Sequence, residues 1–214
     1  GCKKWAFAAD YIRLFAVYTY GGIWLDTDVE VRKSLSVFTE QCHFFIGQEA
    51  ALFFAGGNAY RDTHLTAHCF GADPQHPYLK QCLNYYDGRH FILSSNETLP
   101  DPMRYDQRLL PEIMAKIAAQ RGYNLQGVAY NREQTFDGGN MTVFPSWYFD
   151  APKSPWKKNV FCVHQCAMSW GGSGVPGRRV TGTWRQWLAN GLMDVLNIVP
   201  RLFGKSLAVT FVKW

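Results

Sequence analysis

Between Lys4 and Tyr20 the apolar positions Ala8, Tyr11, Ile12, Phe15, Ala16 and Tyr18 recur at steps of three and four, and Gly21-Gly22 follows. That period predicts a largely buried helix stopped by the glycines. Ile23 to Val31 is rich in β-branched and aromatic residues and predicts a strand; a polar loop and a second apolar run, HFFIGQE, predict another that ends near Glu49. ALFFAGG predicts a further strand or strand-to-turn segment, and a helix is expected from about Arg61 to Phe70. Asp73-Pro74 and His76-Pro77 break the chain before a helix running from Pro77 to about Asp87. A longer helix is expected from Asp106 to Arg121, with Pro111 at a first turn or kink and Gly122 as its stop. Short strands are expected at Gly127–Asn131, Met141–Phe144 and Val160–His164. Alternating helices and strands followed by crowded strands predict an α/β fold with a mixed central sheet flanked by helices.

Composition changes this picture in three ways. The 214 residues are 47% hydrophobic and 18% charged, enough to bury a core, and no apolar run reaches the roughly 20 residues that span a bilayer. The six cysteines form no CxxC pair or zinc-finger spacing, so free thiols in a reducing compartment are expected. Charge is uneven: from Ala151 onward nine basic residues face one acid, Asp194, a net +8, which leaves −3 on the remainder of a chain totalling +5. GGSGVPG at residues 171–177 then marks a flexible break before a tail. Within that tail Trp184, Leu188, Leu192, Val195 and Val199 share one helical face. Such a basic amphipathic helix either lies in an anionic membrane interface or packs on the protein's own core. The basic residues are scattered and form no recognition module, so nucleic acid is not an expected partner.

The candidate chemistry lies in GGIWLDTDVEV, residues 21–31. On a strand, Asp26 and Asp28 point to one face, and like charges so placed need a cation between them. Mg2+ or Mn2+, with oxygen ligands from two carboxylates and a substrate diphosphate, meets that need. Upstream, Asp10 and Arg13 sit three apart on one helical face and project toward the same strand end if the helix packs beside it.

The block AADYIRLFAVYTYGGIWLDTDVEVRKSL resembles the core signature of the DXD-containing sugar-transferase family. That family includes bacterial capsular polysaccharide glycosyltransferases, the yeast initiating mannosyltransferase and, more distantly, the clostridial glucosylating toxins. FGADPQHPYLKQCLNYY resembles a middle segment of the family, and VFPSWYFDAP with FCVHQCAMSW its closing pattern, so the likeness spans about residues 4–170. The resemblance implies a GT-A type fold over residues 1–182, with 183–214 as a separate basic tail. Gly1 in place of Met, and the lack of the family's opening segment, imply that natural N-terminal strands precede this sequence.

The resemblance also implies roles. Asp28 would ligate the metal; Asp26 would meet it through water or hold the donor ribose. Asp10 and Arg13 would bind donor-sugar hydroxyls, with Arg13 also able to stabilise charge near the transferring bond. Trp24 stands where Tyr is common, His164 would lie at the metal or diphosphate, and Ser169 with Trp170 would cap the phosphates. A core role for His164 and a packing role for Trp170 are the alternatives.

The activity implied is metal-dependent transfer, with retention, from a UDP- or GDP-sugar to a saccharide or lipid-linked saccharide. Capsule or other surface polysaccharide synthesis is the implied context, in the cytoplasm or on the inner face of its membrane. Rival readings are a non-catalytic sugar-binding relic and a haloacid dehalogenase-type phosphatase built on LDTDVEV. The phosphatase needs a second acidic pair, and the chain has no Asp-Asp dipeptide.

Overall fold

The computed structural model describes residues 5–49, 64–125, 131–150 and 158–165. Helix α1, Trp5–Tyr20, forms where the spacing predicts it and ends at Gly21, whose φ of 68° closes the helix through Gly21 N–H to Val17 C=O at 2.8 Å. Its burial differs from expectation. Leu14, Val17 and Arg13 face inward, whereas Tyr11, Ile12 and Phe15 are 43%, 56% and 48% exposed. Only the narrow stripe that meets the sheet and the neighbouring helix is covered.

The expected single strand from Ile23 to Val31 is two strands, β1 Gly22–Leu25 and β2 Val29–Val31, separated by a turn in which Val29 N–H bonds to Asp26 C=O at 3.1 Å. The segment read as a polar loop forms a short helix, α2 Ser36–Gln41, before strand β3, Phe44–Gln48. The helix expected near Arg61–Phe70 is replaced by strand β4, Leu65–Ala72. All eight β4 residues are buried, and the alternation of apolar and polar residues stops at Cys69, too short a signal to separate strand from helix.

Helix α3, Pro77–Asn84, starts at the His-Pro turn, where the His76 side chain accepts from Tyr78 N–H. A four-residue turn of helix, α4 Asp101–Arg104, precedes α5, Leu110–Ala119. Helix α5 begins four residues later than expected because Asp106 instead pairs with Arg89 and Arg108; Pro111 occupies its first turn. Strands β5 Gln134–Phe136, β6 Met141–Phe144 and β7 Cys162–His164 complete the described elements, β5 being unforeseen. The ALFFAGG run, residues 127–130 of the strand expected at 127–131, and the tail from 183 lie outside the described residues.

Two sheets result. The larger runs β1-β4-β3-β6-β5, antiparallel except for the parallel β3/β6 pair, and the smaller joins β2 antiparallel to β7. One core lies between the larger sheet and α1, α3 and α5, and holds Leu14, Phe44, Phe70, Tyr78 and Met114. A second lies on the opposite face, where Phe38 of α2 packs at 4.6 to 5.1 Å from the rings of Phe45, Phe144, Phe149 and Phe161. This mixed α/β arrangement is compatible with a GT-A type fold.

Strand β4 is bulged. Ile46 pairs with Phe70 but Gln48 with Leu65, so β4 carries three more residues than β3 across that span. Consecutive strand residues normally face opposite sides; here His68 and Cys69 both meet β7, His68 against His164 and Cys69 Sγ 4.0 Å from Cys162 Sγ. The four described cysteines, Cys42, Cys69, Cys82 and Cys162, are free thiols.

Gly21 and Gly22 both hold positive φ, 68° and 87°, which costs a substituted residue about 1 kcal/mol. A Cβ at Gly21 would also fall 2.7 Å from Pro74 Cδ, while at Gly22 nothing lies within 4 Å. Gly21→Ala is therefore expected to lower the unfolding free energy in urea by about 1 kcal/mol or more beyond the effect of Gly22→Ala. Equal losses would show that Pro74 does not fix this corner.

Candidate active site at the Asp26–Asp28 turn

Asp26 and Asp28 do not share a strand face; they occupy the turn at which the chain leaves the larger sheet for the smaller one. Both sides of that turn are clamped by backbone bonds. Asp26 N–H donates to His68 C=O on β4 at 2.9 Å, and Asp28 C=O accepts from Gln165 N–H, just after β7, at 2.9 Å.

The two carboxylates consequently have different neighbours. Asp26 is held from the helix side: Trp24 Nε1 donates to it at 2.7 Å, and Arg13 Nη1 lies 3.2 Å from each of its oxygens. The same Arg13 donates from Nη1 to Ala67 C=O at 2.8 Å and from Nε to Ala9 C=O at 3.4 Å, and its Nη2 lies 3.4 Å from Asp10 Oδ1. Its guanidinium carbon sits 5.7 Å from the Trp24 ring centre. The expected cluster of Asp10, Arg13, Trp24 and Asp26 is thus brought together, with Arg13 as its hub. Burial pushes the Asp10 carboxyl up to about 6 and the Asp26 charge adds to the shift, both against the lowering effect of Arg13.

Asp28 looks the other way, with its Oδ2 3.4 Å from His164 Nε2. The His164 ring stacks on His68 with centroids 3.9 Å apart and planes inclined by 23°. His68 Nε2 lies 3.0 Å from Phe149 C=O. A carbonyl only accepts, so Nε2 carries the proton and Nδ1 the lone pair. Burial pushes the His68 pKa below its ordinary value, with His164 acting in the same direction and Asp150 against it. Buried Asp150 completes the group: one ligand-type atom each from His68, Asp150 and His164 lie within 4.8 Å of one another, an arrangement able to hold a metal ion.

Sequence reasoning misses His68 and Asp150. His68 falls in a segment that reads as helix, and Asp150 lies in the closing pattern VFPSWYFDAP without a role being drawn from it; only the bulge and the chain's return through Phe149 bring them to the turn. Ser169 and Trp170 lie outside the described residues.

A mixed α/β sheet thus ends in an Asp-x-Asp turn backed by a helix that carries Asp10 and Arg13. Among protein families, the model described as "Glycosyltransferase sugar-binding region containing DXD motif" matches residues 3–45, about a fifth of the chain, and supports a glycosyltransferase-like function. No curated protein and no solved structure matches the chain. The matched stretch contains Asp10, Arg13, Trp24, Asp26 and Asp28, and stops before His68, Asp150 and His164.

The raised Asp10 pKa has a pH consequence. Between its ordinary value of 3.8 and about 6 the folded state binds this proton more tightly than the unfolded chain, so the group's contribution to stability falls as pH rises through that window. Asp10→Asn removes the titration. Between pH 4 and pH 7 the stability of the variant is expected to improve relative to the unsubstituted chain by about 2 kcal/mol, read by urea unfolding at both pH values. A gap that does not change with pH would contradict the assignment.

Proposed function

We propose that this chain is a metal-dependent glycosyltransferase that moves a sugar from a UDP- or GDP-sugar to a saccharide or lipid-linked saccharide, with retention, in capsule or other surface polysaccharide synthesis. The carrying observation is the division of labour at the turn: Asp26 is fixed by Arg13 and Trp24, while Asp28 points to His164. Two carboxylates so separated suit different tasks.

Asp28 and His164 fit a divalent cation, because an acidic oxygen and an imidazole nitrogen already lie 3.4 Å apart. Donor atoms bound to one ion at about 2.1 Å stand roughly 3 to 3.5 Å from each other. Bound there, Mn2+ or Mg2+ would supply positive charge to a departing diphosphate.

The chain's own residues would do the rest. Asp26, held in one rotamer by two donors, keeps lone pairs for a ribose hydroxyl or an ordered water. Arg13 is engaged by Asp10, Asp26 and Ala67 C=O, so its main work is to hold those acceptors at fixed positions. Asp10 is left with its second oxygen for a sugar hydroxyl. The proposed setting is the cytoplasm, with the basic tail offered to the inner membrane surface; among the described residues no helix is long and apolar enough to cross a membrane.

The test is a screen of UDP- and GDP-sugars with Mn2+ for hydrolysis or transfer. At least one donor is expected to turn over, and Asp28→Asn to lower kcat by about 100-fold or more. A donor that binds yet is neither hydrolysed nor transferred to several acceptors would overturn the enzyme reading in favour of a binding relic. Release of phosphate from simple phosphoesters with no sugar-nucleotide turnover would favour a phosphatase.

A further inference from the structure

We propose that His68 and Asp150 complete a metal site with His164 and Asp28, so that the ion is held between the two sheets by two imidazoles and two carboxylates. The proposal rests on the transferase reading for the role of the ion but not for its binding.

Three elements converge on this point for reasons internal to the fold. The β4 bulge turns His68 toward β7, where His164 pairs through its backbone with Val29, the residue after Asp28. Phe149 and Asp150 follow the short 3-10 helix Ser146–Tyr148, and Asp150 N–H bonds back to Ser146 C=O at 3.0 Å. This segment serves twice: Phe149 C=O accepts a hydrogen bond from His68 Nε2–H at 3.0 Å, and the next residue supplies a carboxylate. A ligating histidine commonly donates its other ring N–H to a carbonyl or carboxylate, which fixes its tautomer and orientation. His68 already has that support.

The side chains must close in to share an ion, since donor atoms on one ion stand roughly 3 to 3.5 Å apart. Donor atoms of His68, Asp150 and His164 are mutually within 4.8 Å; Asp28 stands outside that group and joins it through His164, with its Oδ2 3.4 Å from His164 Nε2. The stacked rings identify the group that must move. A metal lies in the plane of each imidazole it binds, and planes inclined by only 23° with centroids 3.9 Å apart do not meet near the donor atoms. Loading therefore turns His164, whose side chain is 22% exposed, while His68 stays pinned to Phe149.

The donor set also makes a choice of ion. Mg2+ and Ca2+ prefer oxygen ligands throughout, whereas mixed imidazole and carboxylate sites suit Mn2+, Co2+ and Zn2+. The site is expected to take Mn2+ well ahead of Mg2+.

The test uses the full chain with Mn2+ alone. Pulsed electron paramagnetic resonance of the Mn2+-loaded unsubstituted protein is expected to show two directly bound imidazole nitrogens. His68→Asn and Asp150→Asn are each expected to weaken Mn2+ binding about 10- to 100-fold. One bound nitrogen or none would overturn the proposal, as would unchanged Mn2+ affinity in both variants. If either variant does not fold, the nitrogen count in the unsubstituted protein decides. Mn2+ bound through two histidines in a protein that cleaves no nucleotide sugar would leave this site standing and remove the transferase reading. Turnover and Mn2+ binding both lost in Asp28→Asn but intact in His68→Asn would do the reverse.

Discussion

An arginine that is only 8% exposed inside an α/β core must be neutralised and fully hydrogen-bonded, and the arrangement around Arg13 arises from that demand. Its partners come from three places: Asp10 on its own helix, Asp26 at the end of β1, and Ala67 C=O in the bulged stretch of β4. Each contact sets a position that apolar packing alone leaves free. Helix α1 is registered against the sheet, the bulge carbonyl has a donor, and one of the two acids in the turn is committed before any ligand arrives. Trp24 strengthens the arrangement by donating to the same carboxylate and lying against the same guanidinium.

With Asp26 anchored, the direction of Asp28 is set by the change of sheet. Had the chain run on as one strand, both carboxylates would have projected together and repelled. The turn instead sends β2 to pair with β7, so Asp28 arrives beside His164. The bulge that offers Ala67 C=O to Arg13 is also what aligns His68 and Cys69 with His164 and Cys162. One irregularity in β4 thus serves the buried cation on one side and the histidine pair on the other.

Local features are legible in the sequence. The period of α1 and its glycine stop, the His-Pro start of α3, strand β6 and the approach of Asp10 and Arg13 to the acidic pair come from residue spacing and turn chemistry, while the part of Trp24 follows from the family resemblance. The features that are not legible depend on long-range pairing. Strand β4 is covered on both faces and its alternation ends after Cys69, so its pattern fits a helix as well. The break at Asp26–Asp28 is missed because the residues on both sides of it read as strand, although aspartates themselves favour turns; the availability of β4 and β7 as different partners divides the run. The burial of α1 is misjudged for a related reason, since spacing gives the apolar face but not how much of it a neighbour covers. His68 and Asp150, 82 residues apart in sequence, are joined to the turn only by the fold, although Asp150 lies within the closing pattern VFPSWYFDAP.

Binding of a sugar nucleotide at this turn through a divalent ion, with Asp26 anchored and Asp28 directed to the metal, is the proposition on which the functional reading stands. Calorimetric titration of the full chain with UDP- and GDP-sugars, in Mn2+ and again after chelation, decides it. Heat of binding for one nucleotide class in Mn2+, lost when the ion is removed, is the expected result. Binding of equal strength with and without the ion would contradict it, as would the absence of binding to either class in Mn2+.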